Sequence, residues 1–99
     1  MKMAHIQEIV ARRYGLTRLQ LLERTHKHKI ARPRQLAVAL CREFTGYTWA
    51  RVGRAFGGYD HATLIHAARR AREDPELEVL RQALRAEIYA QTWLSCGGH

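Results

Sequence analysis

Acidic residues are scarce in this chain: 9 Asp and Glu stand against 17 Lys and Arg in 99 residues, and the pI is near 10.3. A balance so lopsided implies a polyanionic partner, or else a bias for solubility. Cysteine is also scarce. Cys41 and Cys96 are far apart and form no CxxC pair, which excludes a disulfide scaffold and fits a reducing cytoplasm. Long hydrophobic runs are missing. The longest clean apolar segment, Leu36 to Cys41, is far too short for a membrane span, and no signal peptide opens the chain. A chain of this length has no room for a second domain or a deep catalytic cleft.

The charge is uneven. Between Glu23 and Arg34 there are five Lys or Arg, two His and a single acid, whereas five of the nine acids fall between Glu73 and Glu87. One segment is therefore strongly basic, and a later one holds much of the counter-charge.

Apolar periodicity is helical almost throughout. Ile6, Ile9, Val10 and Tyr14 mark a first helix from Ala4 to about Tyr14, ended by Gly15. Thr17 caps a short second helix carrying Leu19, Leu21 and Leu22. Arg24 to Lys29 has no apolar period and is expected to be a loop. Pro33 fits the first turn of a third helix, with Leu36, Ala37, Ala39, Leu40 and Phe44 inward, Cys41 as a small core filler and Gly46 as the stop. Thr48 caps a fourth helix, Trp49 to Phe56, with Val52 and Phe56 inward and Gly57-Gly58 as its exit.

The fifth helix spans about Asp60 to Glu73. Projection at 100° per residue places Leu64, Ile65, Ala67, Ala68 and Ala71 on an apolar side. Ala62, Thr63, His66, Arg69 and Arg70 share the opposite side, small residues first and cations further along, as a helix entering a DNA groove would be built. Pro75 opens a sixth helix, with Leu77, Leu80, Leu84 and Ile88 on one face. Residues 1–91 form the expected domain and 92–99 a short flexible tail, near which Trp93 and Leu94 pack on the first helix or on a second subunit.

Catalytic and metal chemistry find little support. Asp60 and His61 are adjacent and point apart on a helix, and no nucleophile–base pair is visible. His61 and His66 miss the i, i+4 spacing of a helical zinc site, and His26 and His28 lie among Lys and Arg, so neither a metal nor another cofactor is expected.

DNA binding draws on more of the chain. The opening amides of the fourth helix, at Thr48, Trp49 and Ala50, suit a phosphate, and Arg42 with Thr45 suits another. His26, Lys27, His28 and Lys29 can lie along the backbone or reach a narrow minor groove. Asp60 is an N-cap, an acceptor for a cytosine N4 amine, or both. Ala62 and the Thr63 methyl suit thymine methyls, His61 meets a base edge or fills the groove wall, and His66, Arg69 and Arg70 are placed for phosphates.

Two strings carry a resemblance: Ala31-Arg32-Pro33-Arg34-Gln35 before the apolar helix, and Phe56-Gly57-Gly58-Tyr59-Asp60-His61-Ala62-Thr63-Leu64-Ile65-His66-Ala67. At this spacing, from about Ile6 to Ile88, the chain resembles the C-terminal DNA-binding domain (domain IV) of the bacterial replication initiator DnaA. The resemblance implies an all-α, six-helix domain with a Trp-repressor-like helix-turn-helix in helices four and five. It implies a nine-base-pair, A·T-rich element, the DnaA box, as the double-stranded DNA partner. It places Asp60, His61, Ala62 and Thr63 on bases and Ala50 beside a base methyl. Arg34, Gln35, Arg42, Thr45, the Trp49 amide and His66 would meet phosphates. The family commonly has Arg at the place of Tyr59 and Thr at that of Ala62. Its minor-groove arginine aligns on His26 and a neighbouring one on His28, a change that shifts that task to Lys27 or Lys29.

The initiator's ATP-binding module has no counterpart here, and Met1-Lys2-Met3-Ala4-His5 reads as a natural start. The chain is either an excised domain or, the favoured expectation, a free-standing, non-enzymatic, monomeric DNA binder, bacterial, cytoplasmic and nucleoid-associated, that regulates replication initiation or transcription at DnaA-box-like sites. The alternative is a regulatory module that binds DnaA or a DnaA-related ATPase and modulates initiator inactivation, with little specific DNA binding.

Overall fold

The protein's structure is a computed structural model that describes residues 2–25 and 27–96, the last five by their backbone alone. His26 and the side chains of Trp93 and Leu94 lie outside the described residues, and so do the expectations placed on them. The described residues form six helices and no strand: α1 Met3–Arg13, α2 Arg18–Leu21, α3 His28–Thr45, α4 Trp49–Ala55, α5 His61–Glu73 and α6 Pro75–Cys96. The all-α, six-helix expectation holds. Helix α6 continues through Cys96, so the boundary expected between residues 91 and 92 is not a helix end.

Helix α3 is the axis of the domain and packs against each of the other five. That is why Leu36, Ala37, Val38, Ala39, Leu40 and Cys41 are all buried: a helix covered on every side buries a continuous run, not a stripe. Its start corrects the sequence reading. The helix begins at His28, and Pro33 sits in its interior. Pro33 lacks the N–H that would meet the Lys29 carbonyl. Buried Ile30 anchors the extra turn, and the amides of Ile30 and Ala31 donate to the Lys27 carbonyl at 3.0 and 2.8 Å. His28 and Lys29 are therefore helical, and the basic loop is shorter than its composition implied.

Two polar devices fix the frame. Gln7 is fully buried, donating through Nε2 to the Ala55 carbonyl at 3.0 Å and accepting from Arg18 Nε at 2.9 Å. It joins α1, α2 and the end of α4, and it satisfies a terminal carbonyl that α4 leaves open. On the α6 side, Arg32 pairs with Asp74 and Glu76, both at 2.9 Å, while Arg81 and Arg85 pair with Glu43. Arg81 also bonds Glu78, holding that carboxyl down at about 2.

Burial pushes the Cys41 thiol up to about 12. At pH 8 roughly one thiol in ten thousand is then ionised, and only the thiolate attacks an alkylating reagent. Iodoacetamide should therefore leave Cys41 unmodified in the native protein and label it in urea, as read by peptide mass mapping. Equal labelling in both states would contradict the burial.

Candidate nucleic-acid interface

Helices α4 and α5 meet through a tight turn whose geometry glycine makes possible. Gly57 and Gly58 both have positive φ, 98° and 94°, a region costly for residues with a Cβ. The Gly58 amide returns to the Gly53 carbonyl at 2.8 Å. Gly53 sits where the two helices touch: a Cβ there would lie 2.4 Å from the Tyr59 carbonyl oxygen and 3.1 Å from Leu64 Cδ1. Beneath them Val52, Phe56 and Leu64 are buried, each contributing about 1.5–3 kcal/mol by burial.

The start of α5 is open to solvent. Asp60 is its N-cap and accepts from the Thr63 amide at 2.8 Å. The Thr63 amide, and after it the Thr63 hydroxyl, hold the Asp60 carboxyl below its ordinary value, so it is a carboxylate at neutral pH. Asp60, His61, Ala62, Thr63, His66, Arg69 and Arg70 are all exposed. One residue departs from the projection: Ile65, placed on the apolar side, is 38% exposed. It borders a groove of about 540 Å³ whose lining includes Ala39, Arg42, Trp49, Ala68 and Arg69. From α4, Trp49 lines this groove, and the flank of α5 at Ile65 is left partly open.

Residues expected at phosphates flank α5 on two sides. On one side Arg42 donates to the Tyr47 carbonyl and stacks on the Trp49 ring, 4.5 Å to the centroid. Thr45 Oγ1 donates to the Cys41 carbonyl at 2.7 Å and accepts from the Tyr47 amide at 3.1 Å. Thr48 caps α4 by accepting from the Arg51 amide at 3.2 Å, and Ala50 is exposed. The opening amides of α4, Trp49 among them, have no intrahelical acceptor. On the other side, Arg34 and Gln35 share a small cleft with Tyr59, Thr63 and Ala67. Arg34 donates to the carbonyls of Glu23 at 2.7 Å and Thr25 at 2.9 Å. It holds the basic loop in place, a task the sequence did not reveal.

Arg24 closes the arrangement. It donates to the Gly57 carbonyl at 2.8 Å, so the basic loop and the turn before α5 lie against one another. Exposed Lys27, His28 and Lys29 follow within five residues. Sequence reasoning passed over Arg24, Arg51 and Gly53; Arg51 stacks on Tyr47 at 3.7 Å. Arg24, Arg34, Arg42 and Arg51 thus lean on rings and carbonyls, where Arg32, Arg81 and Arg85 on the α6 side meet carboxylates.

A larger groove lies on the α6 side, bordered by His28 and Lys29. It measures about 980 Å³, has Tyr14, Leu16, Pro33, Val79 and Leu80 in its lining and takes no residue from α4 or α5. Among the described residues no group of three or more His, Cys, Asp or Glu side chains is placed to hold a metal ion. No helix among them is long and apolar enough to cross a membrane.

A short helix, a glycine turn and a second helix that shows its capped tip to solvent, beside cations that meet no carboxylate among the described residues, define a helix-turn-helix domain of the DNA-binding class. The family model described as the bacterial DnaA protein helix-turn-helix matches residues 3–71, more than half of the chain. The chain belongs to that family, whose domain binds double-stranded DNA and is not catalytic.

Proposed function

We propose that this domain binds A·T-rich, DnaA-box-like duplex sites and regulates replication initiation or transcription there. One observation carries the reading. The Arg24 contact to Gly57 holds the basic loop against the turn that leads into α5, whose opening residues Asp60, His61, Ala62 and Thr63 are exposed. With α5 in the major groove, those four residues meet base edges, and Ala50 reaches a base methyl. Gln35, Arg42, the Trp49 amide, His66, Arg69 and Arg70 meet phosphates. Lys27, His28 and Lys29 lie toward the adjacent minor groove, where a narrow A·T tract concentrates negative potential.

Asp60 tests the base contact. Asp60→Ser keeps an N-cap acceptor but withdraws the carboxylate. It should reduce the ratio of box to scrambled-duplex affinity by about tenfold or more, the value of one good base contact. Circular dichroism should show an unchanged fold. An unchanged ratio would leave Asp60 as a cap alone.

A second reading, a module that docks a DnaA-related ATPase, draws on the apolar groove lined by Leu16, Val79 and Leu80. Val79 is 69% exposed there. A titration on box and scrambled duplexes separates the two readings, because docking alone gives equal affinity for both.

A further inference from the structure

Tyr59 stands between the basic loop and α5, half-buried against the core, with two guanidiniums at its ring. The Arg24 guanidinium lies over its ring at 4.6 Å from the centroid, and that of Arg34 at 5.5 Å. Both cations are also tied to backbone. Arg24 donates to the Gly57 carbonyl, two residues before Tyr59. Arg34, from α3, donates to the carbonyls of Glu23 and Thr25, on either side of Arg24. The ring is thus the centre of a closed circuit. The loop holds Arg24, Arg24 holds the turn and the ring, the ring meets Arg34, and Arg34 holds the loop.

Two like charges gathered at one ring repel each other. The electron-rich face of the ring and three backbone carbonyls offset that repulsion. Among the described residues no carboxylate pairs with either guanidinium, so the circuit keeps its positive charge. The residue after Tyr59 is Asp60, the cap of α5. A displacement of the ring therefore moves the loop relative to the helix tip.

We propose that Tyr59 is a positioning residue that locks the basic loop in register with α5, so that Lys27 meets the duplex as part of one rigid surface with Asp60 to Thr63. The lock itself is a property of the free protein. Its effect on DNA rests on the binding proposed above. Without the lock, the loop's ordering entropy is lost at the moment of binding.

The test compares Tyr59→Phe, which keeps the ring, with Tyr59→Leu, which removes it. In the free protein, ¹⁵N heteronuclear NOEs of the amides of Arg24, Thr25 and Lys27 should stay at the wild-type level in Tyr59→Phe and fall in Tyr59→Leu. Amides of α5 beyond its first turn should not change in either. On a box duplex, Tyr59→Leu should lose about tenfold in affinity, the size that two surface guanidinium–ring contacts together imply. Tyr59→Phe should bind as the wild type does. Arg24→Gln, a surface change that leaves the core untouched, should free the same amides and add little to Tyr59→Leu in the double variant. Loop NOEs unchanged in both Tyr59→Leu and Arg24→Gln would overturn the lock. Freed loop amides with unchanged box affinity would overturn its role in binding. A wild type with equal affinity for box and scrambled duplexes would sink the DNA-box reading, while the NOE comparison would still decide the lock.

Discussion

Gly53→Ala should lower the melting temperature by about 8–16 °C, the equivalent of roughly 2 kcal/mol in a domain of this size. The sign is not obvious from composition, because alanine is the better helix former by about 1 kcal/mol. Space decides it. The new Cβ would lie 2.4 Å from the Tyr59 carbonyl oxygen, a backbone atom that cannot rotate away. The 3.1 Å approach to Leu64 Cδ1 adds to the crowding on the core side. Relief requires α4 and α5 to separate, which shifts the tip of α5 and the opening of α4 relative to each other. Box affinity should therefore fall by at least tenfold even in the fraction that stays folded, since contacts from both helices depend on that spacing. Differential scanning calorimetry and a binding titration read the two effects. Gly15→Ala is the control: a Cβ there meets nothing within 4 Å, so only the strain of its positive φ remains. A Gly53→Ala variant that melts with the wild type and binds as it does would show that the helix crossing tolerates a methyl group.

Salt should produce the largest change of all. If the interface neutralises about six phosphates, affinity for any duplex falls about a thousandfold between 50 and 200 mM salt. Six cations lie exposed or half-buried around α5 and the start of α4, in Arg42, Arg51, Arg69, Arg70, Lys27 and Lys29. The loss should be nearly the same for box and scrambled sequences, because counterion release is blind to sequence. Titration at the two salt concentrations measures both slopes. A fall of less than tenfold would mean that only one or two cations touch the backbone.

Much of this surface was legible in the chain, for reasons that differ by residue. The start of α5 announces itself locally: two glycines, an aspartate and small residues are a turn and a cap in almost any setting. The exposed side of α5 follows from its period, and Ala62, Thr63, His66, Arg69 and Arg70 lie where projection put them. Errors came where the deciding partner is distant in sequence. Pro33 looked like a first-turn residue because the burial of Ile30 that extends α3 upstream is a tertiary fact. Ile65 looked buried because periodicity does not say how far a neighbour reaches. Gly53 was silent: inside a helix, a glycine forced by the close approach of another chain segment looks like any weak helix former. The Arg24–Tyr59–Arg34 circuit spans three segments and has no local signature at all.

The uneven placement of carboxylates has a kinetic side. Asp74 and Glu76 neutralise Arg32 just beyond the last residue of α5, about 18 Å along the axis from its tip, and Glu43 meets Arg81 and Arg85. The cations near the tip lean on uncharged groups. The molecule is thus polarised, with more of its carboxylates away from the edge proposed to meet DNA. In the field of a polyanion such a body feels a torque before it touches anything, and collisions begin already turned the right way round.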